Sequence, residues 1–324
     1  MLANSDYPDD MTTHVRDPKI LKDGEKYIMV LGARSIEDKG CALVYHSTDL
    51  SHWHYVTRIQ TSEKFGFMWE CPDLFKLGNQ LILSVSPQGL EKEEARYQNV
   101  FQSGYFLVDE KHGDYTVRKF EEFDYGFDFY AVQTFEDESG RRILMAWMGL
   151  PMESEYQEDP TVKYNWRHAL TMPRELVFQN GAVYQRPLKE FEKLRKNEFQ
   201  SQISEFTQWQ TENCCFEINV TFSNPAESFS LRLRDDVILT FDGSLLSLKM
   251  GESGFGRTQR NIALDKVSRL QFFSDTSSLE IFINGGRYTM TSRVFSDTLK
   301  QIITFDSKSD GQLTIYDLKK FNIE

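Results

Sequence analysis

Cysteine and histidine are both scarce in this sequence, and neither is spaced for metal binding. The four cysteines among 324 residues, Cys41, Cys71, Cys214 and Cys215, form no CxxC pair, so no zinc site or disulfide framework is indicated. We interpret them as reduced thiols. The six histidines contain no HxxxH pair. The sequence therefore predicts that the protein binds no metal and no cofactor.

Long apolar runs are also missing. No stretch approaches the roughly 18 residues that a membrane-spanning helix requires. The start, Met1-Leu2-Ala3-Asn4-Ser5-Asp6, lacks the basic region and apolar stretch of a signal peptide. We therefore expect a soluble, cytoplasmic protein with no membrane partner.

Basic residues are fewer than acidic ones: the sequence has 37 lysines and arginines and 49 aspartates and glutamates, which gives a net charge of −12. Nucleic-acid binding depends on neutralising many phosphates with basic side chains, so nucleic acid is not an expected partner. A single phosphate on a sugar is still compatible with this composition, since one or two local basic groups can hold it.

Three segments of the N-terminal part can be aligned with one another. They begin near Pro18, Pro72 and Val132, at spacings of 54 and 60 residues, and each is followed by a glycine and a second apolar strand. Each repeat predicts four strands: 19–21, 26–31, 41–46 and 54–59; then 73–77, 80–85, 104–108 and 115–120; then 131–135, 142–147, 169–178 and 182–185. Four-stranded repeats of this kind are typical of propeller blades.

The C-terminal part has a different pattern. Pro187 opens a short segment in which Leu188, Phe191 and Leu194 recur at helical spacing, which predicts a linker helix over 187–200. Strict alternation of apolar and polar residues follows, with Gly-containing turns between the runs. We therefore predict an all-β chain with a partial propeller over 1–186 and a β-sandwich over 201–324.

The candidate catalytic residue is Glu70, which lies beside Trp69 at the start of a predicted strand. A neighbouring indole lowers the local dielectric, and this is expected to raise the pKa of the Glu70 carboxyl towards the range useful to a general acid. The alternative is a glutamate that only caps a turn, which would be the usual role of an isolated Trp-Glu pair.

Four motifs resemble those of glycoside hydrolase family 32, and they occur in family order. They are Met68-Trp69-Glu70-Cys71-Pro72-Asp73, Arg16-Asp17-Pro18, the segment 124–135 and the segment 169–176. The resemblance implies a five-bladed propeller, of which about three blades are present here, followed by a sandwich. It also implies a retaining β-fructofuranosidase that acts on a small sugar such as sucrose or sucrose 6-phosphate.

The resemblance assigns a role to individual residues. Glu70 is the expected general acid/base and Asp17 the expected transition-state stabiliser. The expected substrate-binding residues are Arg16, Trp69, Asp128 and Tyr130. For Arg16 and Asp17 the alternative is a surface ion pair before a strand, and for the aromatic residues it is core packing.

One family motif is absent, because the sequence contains no Asn-Asp-Pro segment to supply the nucleophile. Glu158-Asp159-Pro160 is similar only in composition, and we do not assign it to catalysis. We expect the chain to be inactive alone, and to self-associate or to require a polypeptide that carries the missing blades. The alternative function is a non-catalytic carbohydrate-binding or partner-complemented module.

Overall fold

Strands account for nearly all regular structure, which confirms the all-β prediction. The computed structural model describes residues 2–149, 159–234, 236–297 and 300–320. Its contacts divide the chain into two units. The first contains the described residues of Met1–Lys92, Asn99–Phe123 and Tyr130–Ala146, and the second those of Glu93–Gln98, Asp124–Phe129 and Trp147–Glu324. No helix in these described ranges has the length and apolar character needed to cross a membrane.

The first unit holds eleven strands among its described residues. The first sheet has the order β1 (Met11–Asp23), β2 (Lys26–Ser35), β3 (Gly40–Ser47) and β4 (His54–Ile59). The second has the order β5 (Met68–Leu77), β6 (Gln80–Gln88), β7 (Gly104–Lys111) and β8 (Asp114–Val117), with β9 (Glu121–Glu122) also paired to β7. The strands β10 (Tyr130–Glu136) and β11 (Arg142–Trp147) are neighbours, and a short 3-10 helix covers Asn4–Asp6.

The first two predicted repeats each form one antiparallel sheet in chain order. Their opening hairpins turn at Gly24 and Gly78, which have φ of 63° and 58°, a conformation that glycine adopts without steric cost. The strand β1 is longer than the predicted 19–21, and β8 ends earlier than the predicted 115–120. The observed strand boundaries therefore differ from the predicted ones, whereas the order of the strands agrees with the prediction.

The second unit is built mainly from two six-stranded sheets. Its described strands are β12 (Arg174–Gln179), β13 (Ala182–Pro187), β14 (Arg195–Gln202), β15 (Gln208–Gln210), β16 (Phe216–Phe222), β17 (Phe229–Arg234), β18 (Val237–Phe241), β19 (Leu245–Lys249), β20 (Gln259–Ala263), β21 (Arg269–Asp275), β22 (Ser278–Ile283), β23 (Tyr288–Arg293), β24 (Ile302–Ser307) and β25 (Gly311–Leu318). Short 3-10 helices cover Pro160–Tyr164, Lys189–Leu194, Ile203–Glu205 and Glu252–Gly254.

One sheet has the order β14-β25-β16-β21-β22-β23 and the other β15-β24-β17-β18-β19-β20. Alternating residues of these strands form a single buried apolar core, as the period of two in the sequence predicts. Phe216, Ile218 and Val220 of β16 are examples, and all three have no exposed surface. The hairpin of β12 and β13 belongs to the same unit, although β12 begins at Arg174 and not at the predicted residue 169.

The predicted linker helix over 187–200 is wrong in extent. Only Lys189–Leu194 is helical, as a 3-10 helix, and Arg195–Gln202 forms β14, which pairs with β25 in the sandwich. The apolar residues Leu188, Phe191 and Leu194 fit a short helical turn. After Leu194 the backbone N–H and C=O groups gain hydrogen-bond partners by pairing with β25, which a short isolated helix would not stabilise as well. The other boundaries of the predicted domains stay a prediction.

A buried charge network lies inside the second unit. Arg174 has no exposed surface and donates to Glu280 at 2.6 Å and to Asp124 at 3.3 Å. The Asp124 carboxylate also accepts from the backbone N–H of Gly126 and Thr291, both at 2.8 Å. Every charge in this group has a partner, which is the condition for burying ionised side chains.

Candidate active site

Three residues with a left-handed backbone conformation occupy equivalent places in β1, β5 and β10. Asp17, Cys71 and Ala131 have φ of 60°, 47° and 53°, a conformation uncommon for residues other than glycine. The strand register shifts between Arg16 and Lys19 and again between Glu70 and Asp73. A bulge of this kind re-aims the side chain beside it.

The residues that precede Asp17, Cys71 and Ala131 meet at one point. Arg16 donates from Nε and Nη2 to Oε1 of Glu70, at 3.0 and 2.8 Å. The Tyr130 hydroxyl donates to Oε2 of Glu70 at 2.5 Å. A cation, a carboxylate and a phenol from three equivalent positions are thus brought into direct contact, although they are 54 and 60 residues apart in the chain.

The Glu70 carboxylate has donors on both oxygens and still reaches solvent. Gln88, at the end of β6, donates from Nε2 to Oε2 at 2.7 Å. The Glu70 side chain is 19% exposed. The three donors fix the direction of the carboxylate, which is the arrangement that a proton-transferring group requires. No pattern in the sequence indicated Gln88, because its role depends only on the pairing of β5 with β6.

Asp17 lies next to Glu70 in space. Its Oδ2 accepts a hydrogen bond from the backbone N–H of Cys71 at 3.0 Å, so it is held at the residue that follows the candidate acid. Asp17 itself occupies the left-handed region, which aspartate tolerates better than most side chains. The structure therefore brings together four sequence-predicted residues: Arg16, Asp17, Glu70 and Tyr130.

Two neighbouring groups stay protonated at neutral pH. Burial, followed by the hydrogen bond to Glu70, raises the pKa of Tyr130, so its hydroxyl remains a donor. Burial, followed by the Asp17 and Glu70 charges, raises the pKa of the Cys71 thiol to about 12. Neither Tyr130 nor Cys71 is therefore an anionic nucleophile in this site.

Trp69, which the sequence predicts to bind substrate, is buried in the structure. Its side chain has no exposed surface, and its Nε1 donates to the backbone oxygen of Phe65 at 2.8 Å. Gly40 leaves room for the indole, because an added Cβ there would lie 2.4 Å from Trp69 Cδ1. Adjacent residues of a strand point to opposite faces, so the indole and the Glu70 carboxylate lie on opposite faces of β5.

Asp128, also predicted to bind substrate, is buried in an ion pair of the second unit. The residue is 2% exposed and lies in the second unit, where its two oxygens accept from Nη2 and Nε of Arg257 at 2.7 and 2.6 Å. The backbone N–H of Arg293 donates to the same carboxylate at 2.8 Å. Asp159 is buried within 4.0 Å of both arginines, and Glu158 lies outside the described residues. Asp128 and Asp159 therefore neutralise the buried guanidinium groups of Arg257 and Arg293.

The chain matches one family over nearly its whole length. Residues 2–187 match the glycosyl hydrolases family 32 N-terminal domain, and residues 188–323 match the glycosyl hydrolases family 32 C-terminal domain.

Two curated relatives are named sucrose-6-phosphate hydrolase. The protein from Staphylococcus xylosus is 39% identical over 96% of this chain and 67% of its own length, and the one from Vibrio alginolyticus is 36% identical over 90% and 61%. A solved structure of sucrose-6-phosphate hydrolase from Lactobacillus gasseri aligns with a TM-score of 0.86 and 28% identity, over 97% of this chain and 68% of that one. The chain thus spans about two thirds of the length of these relatives.

Proposed function

Because the chain belongs to glycosyl hydrolase family 32, we propose that it supplies the acid/base half of a β-fructofuranosidase site for sucrose or sucrose 6-phosphate. The observation that carries this proposal is the Glu70 carboxylate, which Arg16 and Tyr130 hold from either side while it stays open to solvent. The names of the relatives support the choice of substrate. We also infer that the N-terminal part contains three propeller blades, from the equivalent left-handed residues Asp17, Cys71 and Ala131.

Each residue of the site has a distinct part in this proposal. Glu70 donates a proton to the glycosidic oxygen as the fructosyl bond breaks, and in the second half-reaction it takes a proton from water. Arg16 and Tyr130 orient Glu70 for both steps. Asp17, held by the Cys71 N–H, contributes negative charge beside the oxocarbenium-like transition state.

We further propose that this chain alone turns over substrate very slowly. The sequence has no Asn-Asp-Pro segment to supply the family nucleophile. Other buried aspartates are already engaged: Asp73 accepts from the backbone N–H of Thr134 at 3.1 Å and pairs with Lys19, and Asp128 pairs with Arg257. Losing one member of a concerted catalytic pair commonly costs several powers of ten in rate. A polypeptide that carries the nucleophile segment would complete the site.

The test is an activity assay on sucrose and on sucrose 6-phosphate, with and without an added polypeptide that contains the Asn-Asp-Pro segment of a relative. We expect turnover only in the mixture, and a loss of roughly 10² to 10⁴-fold in the Glu70→Gln variant. Glu91→Gln is the matched control, because Glu91 is exposed in the same unit. Rapid turnover by the chain alone would contradict the need for complementation. Full activity of Glu70→Gln in the mixture would contradict the acid/base assignment.

A further inference from the structure

A groove of about 470 Å³ lies within the second unit, and none of its lining residues is assigned to catalysis. Two short segments form its walls: the residues before and at the start of β21, and the turn between β22 and β23. Tyr184 of β13 closes one side. This volume falls inside the range of small-molecule sites, which is roughly 300 to 1,000 Å³.

The groove concentrates positive charge in a chain whose net charge is −12. Lys266, Arg269 and Arg287 line it, against the single carboxylate of Asp265. Within the part of the chain that the structure describes, no ion pair engages Lys266 or Arg269, and both residues are exposed. Two basic side chains on one short segment suit a phosphate, because each can donate charge-assisted hydrogen bonds to its oxygens.

The backbone around these cations is fixed by Asn284. Its Oδ1 accepts from the N–H of Ser268 at 2.8 Å, and its Nδ2 donates to the carbonyl of Lys266 at 2.9 Å. Its own N–H donates to the carbonyl of Arg269 at 2.8 Å. The beginning of β21 is therefore tied to the turn, and Gly285 at the tip has no atom within 4 Å of an added Cβ. A pre-formed wall with open space in front of it reduces the ordering cost of binding.

Two tyrosines give the groove a second kind of surface. Tyr184 and Tyr288 are both half-buried and both line it. The Tyr288 ring makes an edge contact with Tyr125, with ring centroids 6.1 Å apart, and the Arg287 guanidinium lies 4.7 Å from the Tyr288 ring centre. Aromatic faces with hydroxyl groups pack against the C–H faces and hydroxyls of a sugar ring.

From the cations and the tyrosines together, we propose that this groove is a second, non-catalytic site that binds a phosphorylated monosaccharide. The phosphate lies against Lys266 and Arg269, and the sugar ring lies against Tyr184 and Tyr288. The proposal does not depend on the assignment of Glu70, because it uses no residue of the candidate active site.

The test is titration calorimetry of the full chain with glucose 6-phosphate, glucose and inorganic phosphate, at low and at physiological salt. We expect glucose 6-phosphate to bind at least about tenfold more tightly than either of the other two probes, and more weakly as salt rises. Equal affinity for inorganic phosphate would overturn the sugar part of the proposal. Equal affinity for glucose would overturn the phosphate part, and no binding of glucose 6-phosphate would overturn both.

Matched variants test whether the ligand binds in this groove. We expect Lys266→Gln with Arg269→Gln to weaken glucose 6-phosphate binding by at least about tenfold, whereas Lys249→Gln with Lys308→Gln, two exposed lysines of the same unit, leaves it unchanged. All four substitutions are at exposed positions, and circular dichroism checks their folding. Equal effects of the two pairs would refute the site.

Discussion

Replacing Arg174 with methionine tests whether the buried charge network stabilises the second unit. The arginine side chain is fully buried and ion-paired to Asp124 and Glu280, whose side chains are 0% and 6% exposed. Its guanidinium also lies 5.1 and 5.0 Å from the ring centres of Phe129 and Phe282. Methionine retains part of this apolar contact, but it removes the cation that Asp124 and Glu280 share. Among the described residues, neither carboxylate has another ion pair.

The expected loss is about 3–5 kcal/mol, the usual cost of removing one partner from a buried ion pair. The loss arises mainly because Asp124 and Glu280 keep their desolvation penalty without compensation. Domain stabilities are typically about 5–15 kcal/mol, so a change of this size is a large fraction of the total. Urea unfolding, followed by hydrogen exchange at β22 and β23, measures it in the unit concerned.

The matched control is Arg186→Met on the paired strand β13. Arg186 is exposed and donates only to Gln179 in the described contacts, at 2.8 Å. We expect the control to change the free energy of unfolding by less than about 0.5 kcal/mol. If Arg174→Met unfolds at the same urea concentration as Arg186→Met, the network does not stabilise this unit and the reasoning is refuted.

The pH dependence of this variant has a definite sign. Burial raises the pKa of Glu280 in the folded protein above its unfolded value. A raised folded pKa contributes stability that is fully present below the unfolded value of about 4.3, and that is lost as the pH rises through the folded pKa. Arg174→Met removes the cation that opposes this shift. Its deficit should therefore be largest at neutral pH and shrink as the pH falls towards about 4.3.

Three further predictions concern the backbone and the thiols. Gly126→Ala should destabilise the second unit by about 2 kcal/mol or more in thermal unfolding, because the added Cβ would lie 2.1 Å from the carbonyl oxygen of Thr291. Ala131→Val should cost roughly 1–3 kcal/mol, whereas Ala131→Gly should be nearly neutral, since Ala131 has a φ of 53°. Cys41 and Cys71 should resist iodoacetamide at pH 8 in the folded chain but not in urea, because burial raises their pKa values to about 11 and 12. Mass spectrometry measures the labelling, and labelling of either thiol before unfolding would contradict this prediction.

The local features of the sequence determined the strand content, the strand order of the first two sheets and the alternation of the sandwich core. Side-chain alternation has a period of two and glycine turns have a fixed chemistry, so both are visible without any knowledge of distant contacts. The motif that contains Glu70 was also visible, since a resemblance to a family is carried by residues that are adjacent in the chain.

Only the tertiary structure decided which side chains meet. Trp69 and Glu70 are neighbours in sequence but point to opposite faces of β5, whereas Glu70 and Tyr130 are 60 residues apart and share a hydrogen bond. Asp128 and Tyr130 lie in one motif, yet Asp128 pairs with Arg257 in the second unit. Such pairings depend on bulges and on long-range strand register, and no local propensity encodes either of them.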